Sequence, residues 1–297
     1  MEETQIPLQV SVLIVSYNRA AALRRCLAAL EQSAERERFE IIVVDNGSQD
    51  ESTSVIAEFP TVTPLHLPRN FGFTRALNIA MRTAKAEFFF FLNSRTEVLP
   101  DTVTRLTACL AADERAVAVC PVLETSDGTP VTPLYKIPSA AKIGAVASAE
   151  AYERAPAPEA GEDVVPVDLA GFTALMVRGY FLKGLRYIDE RYAQCWADAE
   201  IGTQIRRSSR KTLLARTVRA VLHQEDELWA SMPAAARTLI TADWMLGAAA
   251  FAGKHFGFMA GLKLRIATTL SALFSFRIRL FRYLASGQKI DGTQSVL

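Results

Sequence analysis

The apolar run Phe88-Phe89-Phe90-Phe91-Leu92 stops at Asn93-Ser94-Arg95. A short, aromatic-rich run of this kind predicts a fully buried strand. The loop beyond the carboxyl end of a strand is where α/β folds place their chemistry. Other polar groups stand at comparable places. Asp45 closes the run Ile41-Ile42-Val43-Val44, Tyr17-Asn18-Arg19 follow a Val10 to Val15 run, and His223 follows Thr212 to Leu222. Asp198 and Glu200 open a helical pattern that reaches Arg210. A carboxylate held there can remove the proton of a hydroxyl as that hydroxyl attacks. Each position also has a plain structural use. A turn aspartate satisfies nearby backbone N–H groups. A first-turn aspartate caps its helix, and the helix dipole lowers its pKa, which suits a structural acid better than a base. A strand-end histidine is often merely packed.

The elements that must position these groups follow from periodicity. Buried strands are expected at Val10 to Val15, Ile41 to Val44 and Phe88 to Leu92, with a short one over Pro64 to Leu67. Leu23, Cys26, Leu27 and Leu30 recur at helical spacing. Ser48 or Asp50 is placed to cap a helix through Ala57, and further helices are expected over Thr74 to Ala84 and after Asp101. This alternation argues for an α/β fold with a mostly parallel, Rossmann-like sheet flanked by helices. Ala116 to Val122 adds a strand. From Ser126 to Pro166 the density of Pro, Gly, Ala and Ser predicts a long irregular loop used for binding. Val167 to Val177 returns to strand character around Gly171, and Leu228 to Leu284 is helical in pattern.

At 297 residues the chain can bury a large core. A formal charge of +1 gives no global electrostatic case for nucleic acid. Cys26, Cys109, Cys120 and Cys195 form no CxxC pair, so neither a disulfide framework nor a zinc site is expected, and a reducing compartment fits. The acidic, polar start Met1-Glu2-Glu3 does not read as a secretory signal.

Three segments together resemble the family 2 glycosyltransferases, which adopt the GT-A fold. The first is Val12 to Arg19 with Ile42 to Ser48. The second is Asn70-Phe71-Gly72-Phe73-Thr74-Arg75-Ala76-Leu77-Asn78 with Phe91 to Glu97. The third is Ile188 to Tyr192 with Trp196-Ala197-Asp198-Ala199-Glu200 and then His223. Their order is most similar to the rhamnosyltransferase-type branch of bacterial cell-surface polysaccharide synthesis, over about residues 9 to 225. The resemblance implies an inverting transfer from a nucleoside-diphosphate sugar to a glycan or lipid-linked acceptor. It places the donor against Tyr17, Asn18, Asp45, Asn70, Gly72, Asn78, Asn93 and Arg95. Gly72 would let the backbone come close, and Arg75 faces either phosphate or solvent. It makes Asp198 the catalytic base, although Ala197 stands where the family has a first acid. Glu200 is then a local substitute or a solvated acid. His66 and His255 carry no such context.

The family's strand-end motif ends in an acid that reaches a divalent cation, and here that place is Arg95. Magnesium or manganese wants oxygen ligands, and a guanidinium offers none. Three outcomes remain open: Arg95 pairs with the diphosphate itself, the site has decayed, or a metal is held in a shifted register by Asn93, Glu97 or His223. The rival functions are a non-catalytic GT-A homologue acting as an assembly partner and a nucleotidyltransferase. The latter is disfavoured because Tyr17-Asn18-Arg19 replaces a Gly-rich phosphate loop.

Acids are absent from Lys254 to Lys289, a stretch with seven basic residues among Leu, Ile and Phe. Basic amphipathic helices of this kind suit an anionic membrane surface or, alternatively, pack on the catalytic domain or form an oligomer. The expected organisation is a GT-A domain over residues 1–225 and a helical extension over 226–297. The expected location is cytoplasmic, peripheral at the inner membrane face.

Overall fold

The computed structural model describes residues 7–156, 161–224 and 232–290. Strands β1 (Val10–Ser16), β2 (Phe39–Asp45), β3 (Val62–His66) and β4 (Phe88–Leu92) alternate with helices α1 (Ala20–Glu31), α2 (Ser52–Ala57) and α3 (Phe73–Thr83). The chain continues through β5 (Thr96–Val98), α4 (Thr102–Ala112), β6 (Ala116–Glu124), β7 (Leu134–Tyr135), α5 (Ile143–Ala149) and β8 (Val164–Val167). Then come β9 (Leu169–Ala170), β10 (Ala174–Arg178), α6 (Gly179–Gly184), α7 (Ala197–Arg207) and β11 (Lys211–Leu222). Helices α8 (Ala234–His255), α9 (Phe258–Phe274) and α10 (Ile278–Ser286) follow.

The main sheet has the order β3-β2-β1-β4-β10-β6-β11-β5, with β8 also on β11. Strands β3, β2, β1 and β4 run parallel, as do β6 and β11, while β10 is antiparallel to both β4 and β6. The fold is α/β, with a mixed, mostly parallel sheet. Continuous apolar runs fit because both sheet faces are covered. Val12, Ile14, Phe88 and Phe90 point into a core with Leu23 and Leu27 of α1 and Leu106 of α4. Leu13, Phe89 and Phe91 alternate into the opposite core with Leu77 and Met81 of α3 and Ile201 of α7. Strands β1, β2 and β4 therefore end side by side, at Ser16, Asp45 and Leu92.

Two expectations need correction. The stretch from Ser126 to Pro166 is not one irregular loop, since β7, α5 and part of β8 lie within it. Helix α5 is held by burial of Ile143, Val146 and Ala147 against Ala248, Phe251 and Ala252 of α8, and the Trp244 indole N–H donates to the Val146 carbonyl at 3.1 Å. Its seven residues are too few to show a helical period. Likewise the strand expected over Val167 to Val177 is broken. Leu169–Ala170 pairs with β7 in a separate ribbon, and only Ala174–Arg178 joins the main sheet. At the break, the Gly171 N–H donates to the Pro133 carbonyl. The helical pattern expected from Leu228 begins, within the described residues, at Ala234 after Pro233. Residues 228 to 231 lie outside them.

Candidate active site

A cavity of about 470 Å³ opens at the ends of β1 and β4. Tyr17, Asn70, Asn93 and Arg95 all line it, so these four expected donor-binding residues come together. Arg19, Asn46 and Gln194 add polar groups, and Leu77, Phe91 and Phe172 form apolar wall. The charge of the wall has one sign: two arginines line it and, among the described residues, no carboxylate does. The Nε of Arg95 is buried and has no hydrogen-bond partner among the described residues. A buried guanidinium N–H left unpaired costs free energy until an acceptor reaches it. Burial also pushes the Tyr17 phenol above its ordinary pKa, so it stays a neutral donor.

The loop beside β4 has a local cause. Oδ1 of Asn93 accepts the Arg95 N–H at 3.0 Å, and the Asn93 carbonyl accepts the Thr96 N–H at 2.8 Å. The first is an Asx turn, which places Arg95 at the cavity. The opposite rim is a clamp built on Asn46. Its Nδ2 donates to Asn70 Oδ1 at 3.0 Å and its Oδ1 accepts the Phe71 N–H at 3.0 Å, while Asn70 Oδ1 also accepts the Gly72 N–H at 2.9 Å.

The other expected donor residues stand behind the cavity wall. Asn18, at φ 50°, donates its N–H to the Ser48 hydroxyl and accepts the Gln49 N–H. Asp45 is buried; it accepts the Ser48 N–H at 3.0 Å and the Thr53 hydroxyl at 2.8 Å, and His66 lies 3.7 Å away. Asn78 is buried and ties α3 to the 188–190 segment through both the N–H and carbonyl of Ile188, at 3.1 and 2.8 Å. Gly72 has φ 84°, but its close neighbours are protein backbone: a Cβ there would lie 2.6 Å from the Ile290 carbonyl oxygen. Arg75 is exposed, over the Phe71 ring, and does not line the cavity.

The donor set at the end of β4 does not fit a hard cation. Arg95 supplies only N–H groups, and Asn93 Oδ1 is already engaged with the Arg95 N–H. Glu97 and His223 lie outside the cavity lining and bond each other, Oε2 to Nε2, at 2.8 Å. Among the described residues no group of three or more His, Cys, Asp or Glu side chains could hold a metal ion.

Asp198 lies in a second cavity, of about 450 Å³, that shares Phe73, Phe172, Gln194 and Cys195 with the first. Its walls are largely aromatic: Tyr135, Tyr152, Trp196 and Trp244 line it beside Glu150 and Arg154. The Tyr152 hydroxyl and the Ala199 N–H both donate to Asp198 Oδ1, each at 2.8 Å. The expectation that the helix start lowers the Asp198 pKa is overturned. Burial raises it, and the hydrogen bonds from the Tyr152 hydroxyl and the backbone N–H groups of Ala199 and Asp198 offset that only in part.

Glu200 is neither a solvated acid nor placed to replace Asp198. It is buried and accepts from Tyr192 Oη at 3.0 Å, Gln204 Nε2 at 2.8 Å and Lys254 Nζ at 2.9 Å, with His255 Nε2 at 2.7 Å. Burial works against ionisation, yet these partners hold its pKa down at about 2. The group binds α7 to the end of α8.

The pattern of a glycosyl transferase family 2 model matches residues 11–163, slightly more than half of the 297 residues. The chain belongs to glycosyl transferase family 2. The glycosyltransferase YfnE of Bacillus subtilis (strain 168) is 34% identical over 101 residues, 33% of this chain and 26% of that protein. The undecaprenyl-phosphate 4-deoxy-4-formamido-L-arabinose transferase of Aeromonas hydrophila is 31% identical over 113 residues, 36% of this chain and 34% of that one. The matches thus span about a quarter to a third of these relatives. Among solved structures, GalNAc-T7 with UDP, GalNAc and Mn2+ superposes at a TM-score of 0.61 and 16% identity, covering 74% of this chain and 44% of that one. TarS 1-349 of S. aureus gives a TM-score of 0.55 at 13% identity, covering 95% of this chain and 92% of that one. These likenesses establish the GT-A fold.

Several residues of this family 2 chain escape a reading of the sequence. Asn46 follows the strand-end Asp45, so the turn is visible but its grip on Asn70 is not. Tyr152 lies in the stretch expected to be irregular, and Trp244 lies on a helix expected to belong to a separate extension. Asp243 is buried and accepts the N–H groups of Gln194 and Cys195 at 2.9 and 3.1 Å. It thereby fixes the segment shared by the two cavities.

Proposed function

We propose that the chain transfers a sugar, with inversion, from a nucleoside-diphosphate sugar to a hydroxyl of a glycan or lipid-linked acceptor. The observation that carries this reading is the first cavity: among the described residues it has two arginines, an Arg95 Nε without a partner, and no carboxylate in its lining. Such a wall attracts an anion, and a guanidinium matches the paired oxygens of a diphosphate. The diphosphate lies against Arg95, with Arg19 adding positive charge, and the base end lies towards Tyr17 and Asn46. Asp45 then acts mainly by closing the turn beneath Tyr17, because its oxygens are engaged by Ser48 and Thr53.

The acceptor enters the second cavity. Aromatic faces suit the apolar face of a sugar ring. Of the two carboxylates that line the cavity, Glu150 accepts the Thr241 hydroxyl and lies 3.8 Å from Arg277, and Asp198 serves as the base. As the acceptor oxygen attacks the anomeric carbon, its proton passes to Asp198. The bond to the diphosphate breaks on the opposite side, and Arg95 takes up the developing charge. The donor site uses cationic side chains in place of a divalent ion. The order of the three sequence segments resembles the rhamnosyltransferase-type branch, so the sugar proposed is a rhamnosyl or hexosyl unit.

Thermal stabilisation by UDP, dTDP and GDP, and by sugars of each, tests donor binding without an acceptor. A rise in melting temperature with at least one nucleotide is expected. No stabilisation by any of them would favour a non-catalytic assembly partner, the reading suggested by Ala197 in place of an acid.

A further inference from the structure

Helix α9 is packed inside out. Its buried residues are small or polar: Gly261, Thr268 and Ala272. A Cβ on Gly261 would lie 2.6 Å from the Ala249 carbonyl oxygen and 2.7 Å from the Gly253 Cα. Helices α8 and α9 therefore meet backbone to backbone at Gly261. Leu264 packs partly against the core, and the other large apolar residues are left outside. Phe258, Leu262, Ile266, Leu270 and Phe274 recur every fourth position and are all exposed, Phe258 at 75% and Phe274 at 76%. They form one stripe about 25 Å long on the helix. The next turn extends it with Phe276, 86% exposed, and Ile278. Contiguous apolar surface of this extent marks a docking site.

Charge decides the occupant. The stretch from Lys254 to Lys289 holds no acidic residue, and Lys263, Arg265, Arg279 and Arg282 are exposed on the helices that carry the stripe. A second copy docked on this face by a two-fold axis would bring cation against cation. A surface of phosphates accepts both features at once. No helix among the described residues is long and apolar enough to cross a membrane. We propose that the outer face of α9, with Phe276 and Ile278, docks on an anionic phospholipid surface. The apolar stripe enters the acyl boundary while the cations meet the phosphates. This goes beyond the transfer reaction and does not depend on it.

The test is flotation of the full chain with vesicles of phosphatidylglycerol and phosphatidylcholine, and with phosphatidylcholine alone. Binding to the anionic vesicles is expected, weakening as salt rises. The pair Phe274→Ser and Phe276→Ser should weaken it at least tenfold. Lys263→Gln and Arg279→Gln should each weaken it about fivefold. All four side chains are exposed, so unchanged thermal midpoints will confirm that the variants fold. Failure of the parent to float with anionic vesicles at low salt overturns the proposal, as does full binding by the double Phe variant. A concentration-dependent dimer in sedimentation, lost in that variant and unaffected by vesicles, would assign the face to a second copy instead.

Discussion

The Tyr152 hydroxyl donates to Oδ1 of Asp198 at 2.8 Å from 46 residues away. The tyrosine ring is itself held by aromatic neighbours, with ring centroids 4.8 Å from Trp244, 5.2 Å from Trp196 and 5.4 Å from Tyr135. Asp198 thus combines two opposed influences. Burial among rings raises its pKa, which strengthens it as a proton acceptor, and the Tyr152 hydrogen bond moderates the rise. The same bond keeps Oδ1 occupied and fixes the carboxylate plane.

Asp198→Asn should leave nucleotide binding intact and lower transfer by about 10²-fold or more, as expected for loss of a general base. Steady-state kinetics beside calorimetric donor titration will check this. Near-normal turnover would remove Asp198 from the reaction, and Glu200, locked among His255, Lys254 and Tyr192, would not be its replacement.

Tyr152→Phe removes a donor that favours the ionised carboxylate, so the Asp198 pKa should rise further. The base works deprotonated, and activity grows as pH rises through its pKa. The acid limb of the kcat/KM profile should therefore move to higher pH in the variant. A limb that stays in place would mean that Tyr152 serves only packing.

Glu200 has the opposite sign of shift and a structural consequence. Its folded pKa, about 2, lies below the ordinary carboxylate value of 4.5. Its contribution is fully present above about pH 4.5, is lost as pH falls towards 2, and is on the order of 3 kcal/mol. Glu200→Gln should lower stability at pH 7 by a similar amount, because His255 loses its anionic partner and Lys254 keeps only Asp189. It should also flatten the loss of stability between pH 4.5 and 2. Urea denaturation at pH 7, 4 and 3 will show both effects, and identical slopes against pH in parent and variant would refute them.

Legibility followed sequence distance and element length. Strand β4 is plain in Phe88 to Leu92 because an unbroken apolar run ends abruptly at polar residues, and Asn93 and Arg95 fall at the cavity for that reason. Asp198 is equally visible at a helix start. What surrounds it is not, because Tyr152 and Trp244 come from elements that only tertiary packing assembles. Asn78 shows the reverse error: its partner, Ile188, is 110 residues away, and nothing local distinguishes a buried clamp from a ligand contact. Gly72 reads as room for a ligand, but the room is filled by the backbone of Ala193 and Ile290. Gly72→Ala should accordingly destabilise the fold by about 1–3 kcal/mol, from positive φ and crowding together, measured by thermal denaturation.

The remaining prediction concerns Arg95. Its Nε is buried without a partner among the described residues, and the neighbouring Asn93 Oδ1 accepts its backbone N–H, holding the loop in place before any ligand arrives. Arg95→Ala should weaken nucleoside diphosphate binding by about 1–3 kcal/mol, the range for losing a hydrogen bond to a charged group. Arg95→Lys should recover only part of this, since an ammonium cannot pair with two oxygens in one plane. Binding to the unmodified chain should persist in excess EDTA and gain little from magnesium or manganese. Arg95→Asp reverses the charge at the diphosphate, so its binding should fall below that of Arg95→Ala in EDTA, and added manganese should restore part of it. Calorimetric titration of one nucleoside diphosphate with each variant, with and without EDTA, distinguishes the cases. If EDTA abolishes binding to the unmodified chain, a cation is held after all. The Glu97–His223 pair would then have to open to hold it, and the positive charge of Arg95 would not be the group that receives the diphosphate.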